Sequence, residues 1–468
     1  MSRTYNAAAD GDLYRLQSLI KEGENLAPRL DGRTPLFIAA EGGHIPVVDY
    51  LLSDQNPRKA EVIQFIDLRW NKTGATATYQ AAQTNHLEVL QRLVENGASL
   101  APRPDGCSPL WVAAQDGHAR VVNYLLSDQN PRKVEVIQFI DSGWNKTGAT
   151  ATYQAAKDGH LGVLQRLVEN GASLAPCPDG CSPLWIASQN GHVDVVHYLF
   201  SDRNPRKAEV IKFIDSRWNE TGATATYQAA QNGHLGVLQR LVEKGVSLEP
   251  CPDGCSPLWA AAEGGYIRVV DYLLSDQNPR KAEVILFIDA CWIKTGASAA
   301  FQAAINGHLE VLQRLVENGA SLAPRPDGCS PLWIASQNGH VDVVHYLLSD
   351  RNPRKTEVIE SINSRWSKAG GAALNAAVSK NREEIVLSLL AAGASPNQPH
   401  KKKNNKQESA LQCALQNQQY GIALALLAYD SNINPSSQEL IIKYKTQLTD
   451  NLLDLLVMKL LLRQDIVH

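Results

Sequence analysis

Histidine, cysteine, basic and aromatic residues each recur in this chain at fixed intervals, and each series could in principle do chemistry. His44, His86, His118, His160, His192, His234, His308 and His340 return at one turn position. A metal or catalytic site needs several such side chains converging. Units stacked at helix-packing distances, roughly 10 Å apart, spread them into a ladder instead, so they read as structural. Cys107, Cys181, Cys255 and Cys329 form a second ladder, and Cys177-x-x-x-Cys181 and Cys251-x-x-x-Cys255 add local pairs. Zinc would take four ligands, and the position matching Cys177 is Arg103 or Arg325 in other copies. These cysteines are expected as exposed thiols in a reducing compartment, with a zinc or redox role as the alternative. Cys291 and Cys413 stand apart, without a motif that marks a nucleophile.

The basic pairs Arg58-Lys59, Arg132-Lys133, Arg206-Lys207, Arg280-Lys281 and Arg354-Lys355 could track an acidic filament, a phosphoinositide surface or another polyanion. Glu61, Glu135, Glu209, Glu283 and Glu357 lie close by in each copy, which favours a solvated helix start. The aromatic series Phe37, Tyr79, Trp111, Tyr153, Trp185, Tyr227, Trp259, Phe301 and Trp333 is either packing between units or a partly exposed binding stripe. The sequence holds no Gly-rich phosphate loop, no Gly-x-Ser-x-Gly and no His-Glu-x-x-His. The expectation is therefore no enzyme, no cofactor and no small-molecule substrate. An enzyme would have to use His400, Cys413 or His468 in the irregular C-terminal region.

What positions these series is a repeat of 74 residues, marked by Asp31-Gly32, Asp105-Gly106, Asp179-Gly180, Asp253-Gly254 and Asp327-Gly328. Gly171–Lys207 and Gly319–Lys355 differ only at Cys177/Arg325 and Phe200/Leu348. Such a period is the mark of a stacked array, in which each unit buries its apolar face against its neighbours. Every block has two halves. In each, a short helix rich in small residues (Ala113-Ala114, Ala81-Ala82) precedes a second helix with apolar residues at i, i+3 and i+4. Gly97 suits the left-handed end of a helix, and Pro104-Asp105-Gly106 is turn chemistry. Unit glycines are spaced 42 residues from Gly32 to Gly74 but 32 from Gly74 to Gly106. The extra text begins Asn56-Pro57-Arg58-Lys59. Asn as a cap with Pro after it starts a helix. A short inserted helix is expected in every long unit, laid down by Val62, Ile63 and Ile66 and anchored by Trp70, Trp144, Trp218, Trp292 or Trp366.

Gly106-Cys107-Ser108-Pro109-Leu110-Trp111-Val112-Ala113-Ala114, followed by Gly117-His118, Val121-Val122 and Leu125-Leu126, resembles the ankyrin repeat. Trp111, Trp185, Trp259 and Trp333 depart from it, standing where the family usually has histidine. The resemblance implies an all-α ankyrin-repeat solenoid. It divides the chain into an N-terminal capping repeat (1–31), ten tandem repeats in five modules (32–400), a degenerate repeat (401–434) and a helical C-terminal cap (435–468). Leu440–Leu462 would form the cap helices, and His400–Lys406 an exposed loop. In this family the turn tips and the exposed ends of the inner helices contact the partner. The matching positions are Arg33, Glu41, Cys107, Gln115, Asp116, Cys181, Gln189, Asn190, Cys255, Glu263, Cys329, Gln337 and Asn338. Gln83, Lys157-Asp158 and Gln231-Asn232 are their short-unit counterparts.

A composition of 44% apolar and 20% charged residues with net charge −3 is that of an ordinary soluble protein. It lacks the basic excess of a nucleic-acid binder. There is no early apolar run that would read as a signal peptide and no stretch long enough for a membrane span. The expected function is a non-enzymatic cytoplasmic scaffold with a protein partner. One version is a bacterial effector acting in host cytosol. The alternative is a binder of acidic surfaces or membrane lipids through the Arg-Lys ladder.

Overall fold

Each unit starts where a hydroxyl side chain can replace a missing helical acceptor. Ser108, Ser182, Ser256 and Ser330 accept from the N–H of the tryptophan three residues on, each at 3.1 Å, with Pro at the first helical turn. Thr76, Thr150 and Ser298 do the same in the short units without Pro. The computed structural model describes residues 3–368, 370–398, 400–401 and 407–429, with the single positions 439, 442 and 443. Among them twelve helix pairs follow one another. The strands among the described residues form three two-residue antiparallel hairpins, 143–144 with 149–150, 291–292 with 297–298 and 400–401 with 407–408. This is the all-α ankyrin solenoid architecture.

The chain divides into two compact units, Met1–Ala229 with Gly236–Ser247, and Ala230–Leu235 with Leu248–His468. In the first, inner helices Pro35–Gly42, Ala77–Gln83, Pro109–Gln115, Ala151–Lys157 and Pro183–Asn190 lie next to one another. Their outer partners are Ile45–Leu52, Leu87–Glu95, Ala119–Leu125, Leu161–Glu169 and Val193–Leu199. In the second, inner helices Pro257–Gly264, Ala299–Asn306, Pro331–Asn338 and Ala373–Ser379 pack in the same way against outer helices Ile267–Leu274, Leu309–Glu317, Val341–Leu348 and Glu383–Ala391. The first turns of the inner helices are mostly covered: Pro109 through Ala114 are all buried, with Ala113 and Ala114 fully so. Outer helices bury one stripe, such as Val89, Leu90, Leu93 and Val94. Gly97 takes φ +92°, which leaves the helix end to glycine.

The inserted stretches are helices, at Lys59–Gln64, Lys133–Gln138, Lys207–Lys212, Lys281–Leu286 and Lys355–Glu360. They begin later than expected. Asn56 is buried and uses its amide on the Leu51 carbonyl at 2.9 Å and its oxygen on the Arg58 N–H at 3.0 Å, so Asn-Pro makes a turn and the helix starts at Lys59. Val62 and Ile66 face inward, one helical turn apart, whereas Ile63 is exposed. The tryptophans expected as anchors meet aromatic residues of the inner helices. Trp70 meets Phe37 edge-on at 6.1 Å, and Trp218, Trp292 and Trp366 meet Trp185, Trp259 and Trp333 at 6.0, 6.2 and 4.5 Å. Within the exposed loop expected at His400–Lys406, residues 400–401 pair with 407–408 in a hairpin, and 402–406 lie outside the described residues. The C-terminal cap expected over 435–468 also lies outside them, apart from 439, 442 and 443.

Candidate interaction surface

The chain passes from unit to unit through tight hairpins whose tips hold one another. In the first unit Asn71 donates its backbone N–H to the Asp31 carbonyl at 2.9 Å and its amide to the Leu30 carbonyl at 3.1 Å. Asn145 repeats both bonds on Asp105 and Pro104 at 2.8 Å. Gly106 sits at φ +89° where a Cβ would strike the Gly143 carbonyl, so only glycine fits the crossing. In the second unit Ile293 and Ser367 donate to Asp253 and Asp327, both at 2.8 Å. Arg33, half-buried, folds onto Asp31 at 2.7 Å and lies over Trp70 at 5.0 Å. Its hydrogen bond is the main reason the Asp31 carboxyl falls below the usual carboxylate range.

The four ladder cysteines do not reach the surface. Cys107, Cys181, Cys255 and Cys329 are 1%, 3%, 3% and 1% exposed, against the expectation of exposed contact thiols. Each closes its hairpin, with its backbone N–H donated to the Asp two residues earlier at 3.0–3.2 Å. Burial pushes the Cys107 thiol up to about 11 and Cys329 to about 12, and raises Cys181 and Cys255 further. Cys177 and Cys251 are buried too, and among the described cysteines only Cys291 is exposed.

At the ends of the inner helices Asp116, Asn190 and Asn338 are exposed, and Glu41, Gln115, Gln189, Glu263 and Gln337 are half-buried. Glu41 accepts from the Gln80 amide at 3.2 Å. Asn190 and Asn338 each spend an amide proton on the previous unit, at the Lys157 and Ile305 carbonyls, 2.6 and 2.8 Å away. Burial, more than any neighbouring charge, lifts the carboxyls of Asp116 and Glu263 above their ordinary range.

The histidines serve the same seam. His118, His192 and His340 place Nε2 at 2.8–2.9 Å from the Gln83, Lys157 and Ile305 carbonyls, at the end of the preceding inner helix. Among the described residues no three His, Cys, Asp or Glu side chains converge as metal ligands. The tryptophans of the inner helices are packing residues. Trp111, Trp185, Trp259 and Trp333 are buried, with indole N–H groups donating to the Ala149, Ala223, Ala297 and Gly371 carbonyls at 2.7–3.0 Å.

The basic ladder is closed on itself. Arg132 bridges Glu135 at 2.7 Å and the Gly97 carbonyl at 2.7 Å, and Lys133 pairs with Asp128 at 2.7 Å. Arg206, Lys207, Arg354 and Lys355 repeat the pattern. Exposed cations also stand at the short-unit tips, at Lys72, Lys146, Lys294 and Lys368. Sequence reasoning passed over these, although each stands two residues after the repeated tryptophan.

A family profile described as ankyrin repeats, three copies, matches residues 4–103, 59–138, 132–213, 203–284 and 283–358. The chain belongs to the ankyrin repeat family. This ankyrin array is 26% identical over 431 residues to Ankyrin repeat and KH domain-containing protein mask-1 of Caenorhabditis elegans, covering 83% of the chain and 15% of that relative. It is 32% identical over 203 residues to Probable E3 ubiquitin-protein ligase XBOS32 of Oryza sativa subsp. japonica, 42% of the chain and 37% of the relative. It is 23% identical over 350 residues to Transient receptor potential cation channel subfamily A member 1 of Homo sapiens, 73% and 29%. The chain thus spans 37% of these relatives at most. Among the described residues no helix of the array is long and apolar enough to cross a membrane. Where ankyrin repeats usually carry histidine, this one carries a tryptophan whose N–H reaches across to the next unit.

Proposed function

We propose that this ankyrin array is a non-enzymatic scaffold that binds a protein partner along the face formed by its hairpin tips and inner-helix ends. The observation that supports this is where the copies differ. Core positions barely change between modules, while exposed positions do: Asp116, Asn190, Gly264 and Asn338 occupy one site, and Lys72, Lys146, Glu220, Lys294 and Lys368 another. Variable polar tips on a rigid, repeated frame are how a recognition surface is built. With the ladder cysteines buried, the contact set narrows to Arg33, Glu41, Gln115, Asp116, Gln189, Asn190, Glu263, Gln337 and Asn338 together with the tips. The cytoplasm is the compartment proposed, because free thiols persist there. The relatives come from a nematode, rice and human, and they do not bear on delivery by a bacterium.

The test is affinity capture from eukaryotic lysate with the whole chain and an Asp116→Lys/Asn190→Lys variant, read by mass spectrometry. A partner lost by the variant at unchanged melting temperature supports the reading. Equal capture by both moves the binding face elsewhere.

A further inference from the structure

We infer that the first four hairpin tips of the N-terminal unit form a docking edge for an acidic segment of a protein partner. This deepens the scaffold reading and rests on it. The tips are residues 29–33, 69–75, 102–107 and 143–149, joined side by side by the Asn71, Asn145 and Arg69 hydrogen bonds, the last from the Arg69 guanidinium to the Pro102 carbonyl at 3.1 Å. They carry six cations: Arg29, Arg33, Arg69, Lys72, Arg103 and Lys146. Asp31 offsets Arg33, and Asp105 offsets Arg103. Arg29, Arg69, Lys72 and Lys146 form no ion pair among the described residues, although Arg29 stands close enough to Asp31 to help lower its carboxyl. This contrasts with the Arg-Lys ladder, where the cations are matched in pairs.

Aromatic rings hold most of the six cations without cancelling their charge. Arg29 lies over Tyr5 at 4.6 Å, Lys72 over Trp70 at 5.9 Å, Arg103 over Tyr79 at 4.3 Å and Lys146 over Trp144 at 5.2 Å. Cations fixed in this way lose less freedom when a carboxylate arrives. The carboxylates on the same face, Glu41 and Asp116, stand at the other end of the inner helices, roughly 10 Å away. An acidic segment along the tips therefore meets an excess of positive charge, six cations against Asp31 and Asp105.

The chain contains its own contrast. Two modules on, still in the first unit, the position of Arg29 and Arg103 is Cys177, and that of Lys72 and Lys146 is Glu220. The positive edge is thus local, in a chain whose net charge is −3. Four unpaired cations on three of the four tips suit a short acidic peptide. Duplex nucleic acid presents a charge about every 1.7 Å and calls for a denser basic stripe.

The experiment is fluorescence anisotropy of a labelled oligoglutamate peptide with the full chain, at about 20 mM and about 150 mM salt, where screening tightens to about 8 Å. A single-stranded DNA of equal charge is the second probe. Expected is peptide binding at low salt that weakens severalfold at higher salt. Lys72→Glu with Lys146→Glu should weaken it about tenfold at an unchanged melting temperature. Glu220→Lys, two tips beyond the edge, and Lys244→Glu, in the turn after the outer helix Leu235–Glu243, should both leave it alone. No binding at low salt, indifference to the tip variants, or tighter binding of the DNA would each overturn the inference. If the peptide fails to bind while lysate capture persists, the acidic-segment inference falls and the scaffold reading stands. If tip variants abolish peptide binding while Asp116→Lys/Asn190→Lys leaves capture intact, the docking edge stands and the contact face shrinks to the tips.

Discussion

Cys107 and Cys291 stand near equivalent turns, yet one thiol is buried and the other exposed. A Pro-Asp-Gly run reads as surface, and the turn is at the surface. The residue that closes it is already covered by the next hairpin, and nothing in its own neighbourhood of sequence says so. Native protein treated with iodoacetamide at pH 8 should therefore be alkylated at Cys291 alone among the described cysteines, with the others reacting only after denaturation. Peptide mapping that finds Cys107 or Cys329 modified in the native state would contradict their burial and raised thiol pKa values. The inner-helix tryptophans were half legible in the same way. Their spacing showed that they matter, but an aromatic at a helix start can either pack or bind. What decides it is the bond across units, such as Trp259 to the Ala297 carbonyl at 2.8 Å. Trp259→Phe keeps an aromatic ring but loses that bond and part of the indole's volume, a cost of about 1–2 kcal/mol. Trp259→Ala opens the core at about 3–5 kcal/mol. Chemical denaturation of the two variants separates these costs.

The inserted helix was legible from the unequal spacing of the unit glycines, and its inward face partly so. Its role was not, because the residues it engages lie about one repeat earlier. Glu135 accepts from the Ser99 hydroxyl at 2.6 Å and the Leu100 N–H at 3.1 Å while holding Arg132, which itself caps the Gly97 carbonyl. Glu209 and Glu357 repeat this on Ser173 and Ser321 at 2.7 Å. The Arg-Lys and Glu series that suggested a polyanion track or a solvated helix start thus form a clasp between neighbouring repeats. Burial alone would raise these carboxyls, but the bonds from serine and arginine bring all three net below their ordinary value of 4.5. Titrating lower when folded than when unfolded, they add stability above about pH 4.5 and lose it as the pH falls through their folded values. The melting temperature should decline below that point. Glu209→Gln should be less stable at pH 7 by about 1 kcal/mol, a figure kept small because the group is partly exposed. Its decline with acid should be shallower than that of the unaltered protein. Parallel curves would mean the clasp carries no pH dependence.

For a whole unit, the consequence is that the repeating element is the pair of repeats. Each clasp joins an inserted helix to the short repeat before it, as Arg206 does at the Gly171 carbonyl, and each Trp111-type bond joins a long repeat to the short one after it. A stack of this kind gains stability from nearest-neighbour contacts, so an excision that preserves the alternation preserves every contact type. Removing residues 106–179, one period of 74, joins Asp105 to Gly180 and leaves each long repeat beside short ones. Urea unfolding should stay cooperative, with a slope reduced in line with the lost surface. Removing only 148–179, 32 residues, sets two long repeats side by side. Glu209 then loses Ser173, Arg206 loses Gly171 and Trp111 loses Ala149, so buried or half-buried polar groups are left unmatched at a cost of about 1–3 kcal/mol each. The smaller deletion should have the lower urea midpoint. If the two deletions unfold at the same midpoint, single repeats are interchangeable, and the alternation in length has no bearing on stability.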